Sequence, residues 1–182
     1  MRPINDRTAR PDRLGGAAST GVRGGRASLE RDGPHGGRFH YVSPNTDLLG
    51  WVVERATGRR YADLISELIW RPMGAARSAY ITVDRLGAPR AAGGICATVR
   101  DLALVGQLIA NAGTRGGNQV LPCVWLDDMA AGGDPQAWSA GDFAAYIPGA
   151  RYRSKWSIDD SDGPLLFGLG IHGQYLFVDA ER

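Results

Sequence analysis

The sequence predicts an α+β fold in which a helical part comes first and antiparallel strands follow. Between residues 43 and 130, apolar residues recur with helical spacing and lie between capping and terminating residues. From residue 151 onward, short runs of strand-forming residues alternate with turn residues. Helices and strands are thus segregated along the chain, which favours an antiparallel sheet over a parallel one.

The composition predicts one folded domain preceded by a segment that does not fold. Of the 182 residues, 43% are hydrophobic and 22% are charged, which suffices for a single core. Residues 1–27 are rich in arginine, glycine and proline and contain few large apolar side chains. They predict a disordered or spurious N-terminal extension, because such a segment cannot offset its ordering entropy. Residues 28–182 are expected to form the domain.

The charge and the hydropathy pattern argue against several classes of partner. A net charge of +2 is too small to predict binding to nucleic acid or to a membrane surface. No apolar run approaches the roughly 20 residues that span a bilayer, and the N-terminus lacks the apolar core of a secretory signal. We therefore expect a cytoplasmic chain. Cys96 and Cys123 lie in apolar segments and are expected to be free thiols, a disulfide between them being less favoured.

The first helix is predicted to begin at Ser43 and to end at Gly58. Ser43 is expected to cap it, with Pro44 at the first helical position, where the missing N–H costs nothing. Asp47 suits the positive end of the helix dipole. The residues whose spacing predicts the apolar face are Leu48, Leu49, Val52, Val53 and Ala56.

A second helix is predicted over Tyr61–Trp70, stopped by Pro72 and Gly74. Its spacing predicts that four side chains face inward, namely Leu64, Ile65, Leu68 and Ile69. Residues 79–83 then predict a short strand or extended segment.

A third helix is predicted over Val99–Ala110. Thr98 and Asp101 have the spacing of a capping box at its start, and Gly113 closes it. A fourth helix is predicted over residues 122–130, with a proline at its start.

Three strands are predicted in the last third of the chain, over residues 151–158, 165–171 and 175–179. Residues 159–164 contain aspartate, serine, glycine and proline and predict the turn that joins the first two strands. The outer strands of this sheet are expected to lack partners, and self-association through such unpaired edges is therefore anticipated.

Four motifs occur in a recognisable order. They are Tyr-x-Ser at residues 41–43, Gly-Gly-Ile-Cys-Ala-Thr-x-x-Asp-Leu at 93–102, Tyr-Arg-Ser-Lys-Trp at 152–156 and Gly-Ile-His-Gly-Gln at 170–174. With them, the chain resembles the β-lactamase-related serine hydrolases. This superfamily includes the class C β-lactamases, the D-alanyl-D-alanine carboxypeptidases and certain esterases, and the resemblance is strongest to the aminohexanoate-oligomer (nylon-oligomer) hydrolases. It covers residues 28–182 and corresponds to the C-terminal part of such a protein.

The resemblance implies a partial β-lactamase-like fold, with a helical subdomain followed by antiparallel strands and with the N-terminal catalytic half absent. In this superfamily the serine of an S-x-x-K motif attacks an amide or ester carbonyl, and water hydrolyses the resulting acyl-enzyme. The lysine of that motif and the tyrosine of Y-x-S manage the protons. Tyr41 matches the tyrosine and Ser43 the third position, so Tyr41 is the implied acid/base and Ser43 an implied substrate-binding residue.

The chain lacks the nucleophile that this chemistry needs. Its one lysine is Lys155, and three residues before it stands Tyr152, so no S-x-x-K occurs. A tyrosine of ordinary pKa near 10 is a poor base at neutral pH unless a neighbouring cation favours the phenolate. Tyr41 without that lysine can still donate a hydrogen bond. The alternatives are purely structural: Tyr41 would only pack at the start of the helix, and Ser43 would only cap it.

The strand edge that replaces the superfamily's K-T-G segment has two registers. If residues 168–170 (Gly-Leu-Gly) replace K-T-G, the N–H of Ile171 is the oxyanion donor. If residues 172–174 (His-Gly-Gln) replace it, the donor moves towards Tyr175. We prefer Ile171, because the short span after His172 leaves no room for the usual loop. His172 is an expected substrate contact, against the alternative of an ordinary turn histidine.

The sequence thus predicts a serine hydrolase that acts on a small-molecule amide or ester through an acyl-enzyme, with these 182 residues inactive alone. No cofactor is expected. No metal is expected either, because His35 and His40 lack ligand spacing with each other or with cysteine. The rival interpretations are a non-catalytic remnant or pseudoenzyme that binds a ligand or partner, and one half of a split enzyme.

Overall fold

The computed structural model describes residues 36–179, and these form two compact units. One unit comprises residues 42–98, and the other comprises residues 36–41 together with residues 99–179. The predicted extension at residues 1–27 and the start of the predicted domain at residues 28–35 lie outside the described residues. The described part combines helices with antiparallel strands, which confirms the α+β prediction.

The unit of residues 42–98 begins with helix α1, Ser43–Thr57. Ser43 is the first helical residue and does not cap the helix: Val42 occupies the cap position, without a side-chain hydrogen bond, and Pro44 follows at the second position. The predicted capping role of Ser43 was therefore wrong. Gly58 ends α1 as predicted, with a φ of 66° and its N–H donating to the Glu54 carbonyl at 2.9 Å.

The buried face of α1 differs from the predicted one. Asp47 and Gly50 are buried, whereas the side chains of the predicted apolar face are half-buried or exposed; the most exposed are Leu48, Leu49 and Val52. The Asp47 carboxylate accepts the N–H of Ala92 at 2.8 Å and pairs with Arg90 at 3.4 Å. A Cβ at Gly50 would lie 2.8 Å from the Cβ of Ala91. The loop around residues 90–92 thus selects the buried face, through a carboxylate and a close backbone approach.

A helical segment then covers Tyr61–Trp70, as predicted, but in two forms. Helix α2, Tyr61–Ile65, continues directly into a π-helical turn, Ser66–Trp70. The wider π turn shifts the helical phase, so Trp70 is buried and Leu68, predicted to face inward, is exposed. The unit is completed by strands β1, Tyr80–Ile81, and β2, Ile95–Cys96, which pair antiparallel.

The second unit contains three helices and a small hairpin before its main sheet. Helix α3 spans Val99–Ala110, which matches the prediction residue for residue, and α4 spans Cys123–Ala131 after Pro122 at the cap position. Three elements were not predicted: strand β3 (Thr114–Arg115), strand β4 (Asn118–Gln119) and the short helix α5 (Pro135–Ser139).

Cys96 and Cys123 are both free, as expected, but both are exposed instead of packed as small hydrophobes.

The main sheet has four antiparallel strands in the order β5-β6-β7-β8. They span Arg151–Arg153, Trp156–Asp159, Leu165–Leu169 and Tyr175–Asp179. The predicted single strand over residues 151–158 is a hairpin, because Ser154 and Lys155 have positive φ values of 51° and 72°. Two such residues in succession form the tight turn that matches strand twist.

One face of this sheet carries the core of the second unit. Ile158, Leu166 and Val178 lie in register on adjacent strands and face α3 and α4. The helices contribute Ile109, Leu126 and Met129 to the same buried cluster. A Cβ at Gly106 would lie 3.3 Å from a Val178 methyl group, so α3 packs closely over β8. This layer fixes the β7–β8 turn, where two of the candidate site residues lie.

Candidate functional site

Tyr41 ends an extended segment, residues 39–41, that is hydrogen-bonded to the chain around α5. The Phe39 N–H donates to the Ala137 carbonyl at 2.8 Å, and the Asp142 N–H donates to the Phe39 carbonyl at 3.2 Å. A Cβ at Gly141 would lie 2.5 Å from the Phe39 oxygen, so only glycine permits this approach. Contacts across about 100 residues of sequence thus fix the backbone that leads into Tyr41.

Aromatic packing holds the same segment. The Phe39 ring stacks on Trp138, with ring centroids 5.0 Å apart, and lies 4.6 Å from the ring of Tyr152 on β5. Trp138 is 1% exposed, and its Nε1–H donates to the Ile147 carbonyl at 2.8 Å. The buried indole therefore joins α5, the following loop and the segment that carries Tyr41.

One carboxylate oxygen meets two donors from this segment. Asp142 Oδ2 accepts the N–H of Tyr41 at 2.8 Å and lies 2.8 Å from Nδ1 of His40. These bonds hold the pKa of the Asp142 carboxyl below its ordinary value, the Tyr41 N–H contributing most. An ionised carboxylate only accepts hydrogen bonds, so His40 must donate from Nδ1.

The side chain of Tyr41 is half exposed. Its exposed fraction is 50%, and its ring centroid lies 5.5 Å from that of Phe143. One side of the ring is thus supported by the loop after α5, while the rest of the side chain is accessible to a ligand. Its described ring contact is with this loop, about 100 residues along the chain.

Tyr152 lies beneath this cluster, in the middle of β5. Burial raises the pKa of Tyr152 to about 12, and the proximity of Tyr41 adds to the effect. The Tyr152 phenol is therefore harder to ionise than an exposed tyrosine.

We expect this raised pKa to be visible in a spectrophotometric titration of tyrosinate. The chain has six tyrosines, and we expect one of them to ionise near pH 12 instead of near 10. Because the folded-state pKa is raised, the associated stability is present below pH 10 and is lost between about pH 10 and 12. Burial also raises the pKa of Tyr61, so the Tyr152→Phe variant should lose one equivalent of late ionisation and keep the contribution of Tyr61. An unchanged amplitude of the step near pH 12 in this variant would contradict the assignment.

Ile171 and His172 lie in the turn between β7 and β8. The Gly170 N–H donates to the Gln174 carbonyl at 2.7 Å, and the Gln174 N–H donates back to the Ile171 carbonyl at 3.3 Å. His172 is exposed and has a left-handed φ of 58°. Histidine is one of the few non-glycine residues in which this conformation is enriched.

The N–H of Ile171 has no hydrogen-bond partner among residues 36–179, and its side chain is 77% exposed. The antiparallel pairing also directs the Tyr175 N–H away from β7, because Gly170 and Gln174 form the hydrogen-bonded pair next to the Leu169–Tyr175 pair. In either register, a backbone N–H at this turn is available as a donor. The role of the Ile171 N–H as the oxyanion donor stays a prediction.

The described contacts bring together only some of the predicted site residues. Tyr41 contacts Asp142 and Phe143, but no contact among the described residues joins it to Ile171 or His172. Ser43 belongs to the other unit, as the first residue of α1. Asp142 and Phe143 were not predicted as site residues. They lie just after the short helix α5, which was not predicted either.

Residues 36–179 contain neither a metal-binding cluster nor a membrane-spanning helix. No group of three or more histidine, cysteine, aspartate and glutamate side chains in this part of the chain could hold a metal ion. None of the described helices has the length and apolar character needed to cross a membrane.

Comparisons with known proteins identify relatives of the chain. The sequence model of the family named Beta-lactamase matches residues 16–182. The "6-aminohexanoate-dimer hydrolase" of Paenarthrobacter ureafaciens is 39% identical over 143 residues, which are 79% of this chain and 36% of that protein.

Solved structures of related proteins are also similar to this chain. One described as a 6-aminohexanoate-dimer hydrolase from Bacillus anthracis superimposes with a TM-score of 0.74 at 29% identity, covering 83% of this chain and 38% of that one. Another, described as a beta-lactamase from Bacteroides dorei, has a TM-score of 0.67 at 22% identity, covering 89% and 53%, and shows the fold alone. The chain spans little more than a third of the length of the curated relative.

Proposed function

The chain belongs to the β-lactamase family, and on this premise we propose that it carries the tyrosine-bearing part of a serine hydrolase site. The reaction proposed is hydrolysis of an amide or ester through an acyl-enzyme. The observation that supports this most directly is the presentation of Tyr41, whose backbone is anchored while half of its side chain is accessible.

In this proposal the Tyr41 hydroxyl transfers protons. As the phenolate, which the lysine of an S-x-x-K motif would favour, it accepts the proton of the attacking serine; as the resulting phenol, it delivers that proton to the leaving group. Such a role typically contributes about 10²–10⁴ in rate. The Ile171 N–H is the proposed backbone donor to the oxyanion. One such donor typically stabilises the transition state by roughly 3–4 kcal/mol. Ser43 and His172 are proposed to contact the substrate.

We propose that the nucleophile comes from outside these 182 residues. The one lysine, Lys155, lies in the β5–β6 turn, and Tyr152 stands three residues before it. We therefore propose that the chain alone does not hydrolyse nitrocefin, p-nitrophenyl acetate or a 6-aminohexanoate dimer. The dimer is included because the Paenarthrobacter relative carries it in its name, and short linear amides are the substrate class proposed. Hydrolysis that is abolished by Tyr41→Phe would overturn the proposed inactivity.

A second candidate function is association without turnover, as a pseudoenzyme or as one half of a split enzyme. It is favoured by two exposed apolar surfaces. Leu48, Leu49 and Val52 are exposed on α1, and Tyr175 and Phe177 on β8 are 58% and 56% exposed. The pairing pattern also directs the backbone groups of Tyr175 and Phe177 away from β7. Such an edge can accept a further strand, including one from a second copy of the chain.

A further inference from the structure

We propose that Asp142 is a positioning residue for Tyr41, acting through a single carboxylate oxygen that holds both the main chain of Tyr41 and the ring of His40. This inference rests on the proposed function only in taking Tyr41 as the reactive side chain. Asp142 lies 101 residues from Tyr41 in sequence, and the two are joined by a 2.8 Å hydrogen bond.

The role of Asp142 differs from that of the other contacts between this segment and the loop after α5. Backbone hydrogen bonds and the stacked Phe39 and Trp138 rings already attach residue 39 to the loop. Beyond residue 39, the hydrogen bonds that attach His40 and Tyr41 to this loop all end on Asp142 Oδ2. The carboxylate therefore sets the backbone of the residue whose ring lies 5.5 Å from Phe143.

His40 fixes the carboxylate in turn. A carboxylate oxygen can accept two hydrogen bonds at once, so the Tyr41 N–H and His40 Nδ1–H do not compete. Nδ1 carries a proton both in the neutral tautomer that donates here and in the imidazolium, so the bond survives a change in the charge of His40. Nδ1 is therefore the donor to Asp142 in both forms of the ring.

Acid is expected to weaken the hold of Asp142 on Tyr41, because a neutral carboxyl group is a poorer acceptor than a carboxylate. The charged and titratable groups that act on Asp142 are His40 and Arg38, together with the Tyr41 N–H, and all of them lower the pKa of its carboxyl. A lowered folded-state pKa stabilises the arrangement above the ordinary carboxyl value of about 3.9, and this stabilisation is lost as the pH falls through the lower folded value.

The test uses the full 182-residue chain, labelled with ¹⁵N, and compares Asp142→Ala with the wild type by amide hydrogen exchange and ring-to-ring NOEs. We expect the Tyr41 amide to exchange at least about tenfold faster in Asp142→Ala, because it loses a bond to a charged acceptor. The NOE between the Tyr41 and Phe143 rings should disappear. The Trp138 amide, which donates to Asp134 at 3.1 Å, should keep its wild-type rate.

Control variants make the result specific. Asp127→Ala removes an exposed carboxylate from α4 of the same unit and should leave Tyr41 unchanged. His40→Ala should accelerate Tyr41 exchange by a smaller factor, and it tests the same oxygen if Asp142→Ala fails to fold. Unchanged Tyr41 exchange and NOE in Asp142→Ala would overturn the proposal, as would equal acceleration at Trp138. No turnover is measured, so this result stands apart from any failure of the proposed function.

Discussion

Replacing Tyr41 by phenylalanine is expected to lower kcat by about 10²–10⁴-fold in a chimera that supplies an S-x-x-K motif. In this chimera, the part of the chain that aligns with the Paenarthrobacter hydrolase, at 39% identity over 143 residues, replaces the corresponding segment of that protein. Phenylalanine keeps the ring that packs 5.5 Å from Phe143 and removes only the hydroxyl. The loss should therefore fall on kcat for the dimer and leave KM nearly unchanged.

Tyr146→Phe is the matched control. Tyr146 belongs to the same loop as Phe143 and is 83% exposed, and its N–H bond to the Phe143 carbonyl does not depend on the side chain. We expect this variant to retain kcat within about twofold, because its hydroxyl has no proposed role in proton transfer. Equal activity of the Tyr41→Phe and Tyr146→Phe chimeras would show that the Tyr41 hydroxyl is not the proton-transfer group.

Replacing Trp138 by alanine is expected to destabilise the unit that carries Tyr41 by about 3–5 kcal/mol. Trp138 is 1% exposed, stacks on Phe39 and donates to the Ile147 carbonyl, so the change leaves a cavity and an unpaired acceptor. Urea unfolding followed by far-UV circular dichroism measures the loss without relying on tryptophan fluorescence.

Two further variants separate the contributions of Trp138. Trp138→Phe keeps an aromatic ring against Phe39 but lacks the donor, so we expect a smaller loss of about 1–2 kcal/mol. Tyr146→Ala removes an exposed ring from the same loop and should change stability by less than about 0.5 kcal/mol. A loss below about 1 kcal/mol in Trp138→Ala would contradict the anchoring role assigned to the indole.

The elements that the sequence predicted correctly are those whose signals are local. Helix α3 has its capping pattern and its closing glycine within a few residues of its ends, and the observed bounds match the prediction. Strand β8 was also predicted with the observed bounds, from strand-forming residues that follow a glycine-containing turn. Gly58 ends α1 through its left-handed conformation, which glycine adopts without strain.

The errors arose where distant residues decide the outcome. The buried face of α1 is set by Asp47, whose partners Arg90 and Ala92 are more than 40 residues away. The site around Tyr41 was underestimated for the same reason. Asp142 and Trp138 lie about 100 residues from the segment that they anchor, and no spacing rule joins them to it.

The oxyanion donor could not be identified from residue type. Every residue except proline has a backbone N–H, so the choice between Ile171 and Tyr175 depended on matching a short motif. In the structure the N–H groups of Ile171 and Tyr175 both lie outside the β7–β8 pairing, so the hydrogen-bond pattern is compatible with either register.

We propose that these 182 residues present an acid/base tyrosine without an activated nucleophile. Intact-protein mass spectrometry tests this after incubation of the purified chain with a fluorophosphonate and, separately, with penicillin. We expect the unmodified mass in both cases, because covalent capture requires a serine activated by a neighbouring base. A stoichiometric adduct on any serine would contradict it.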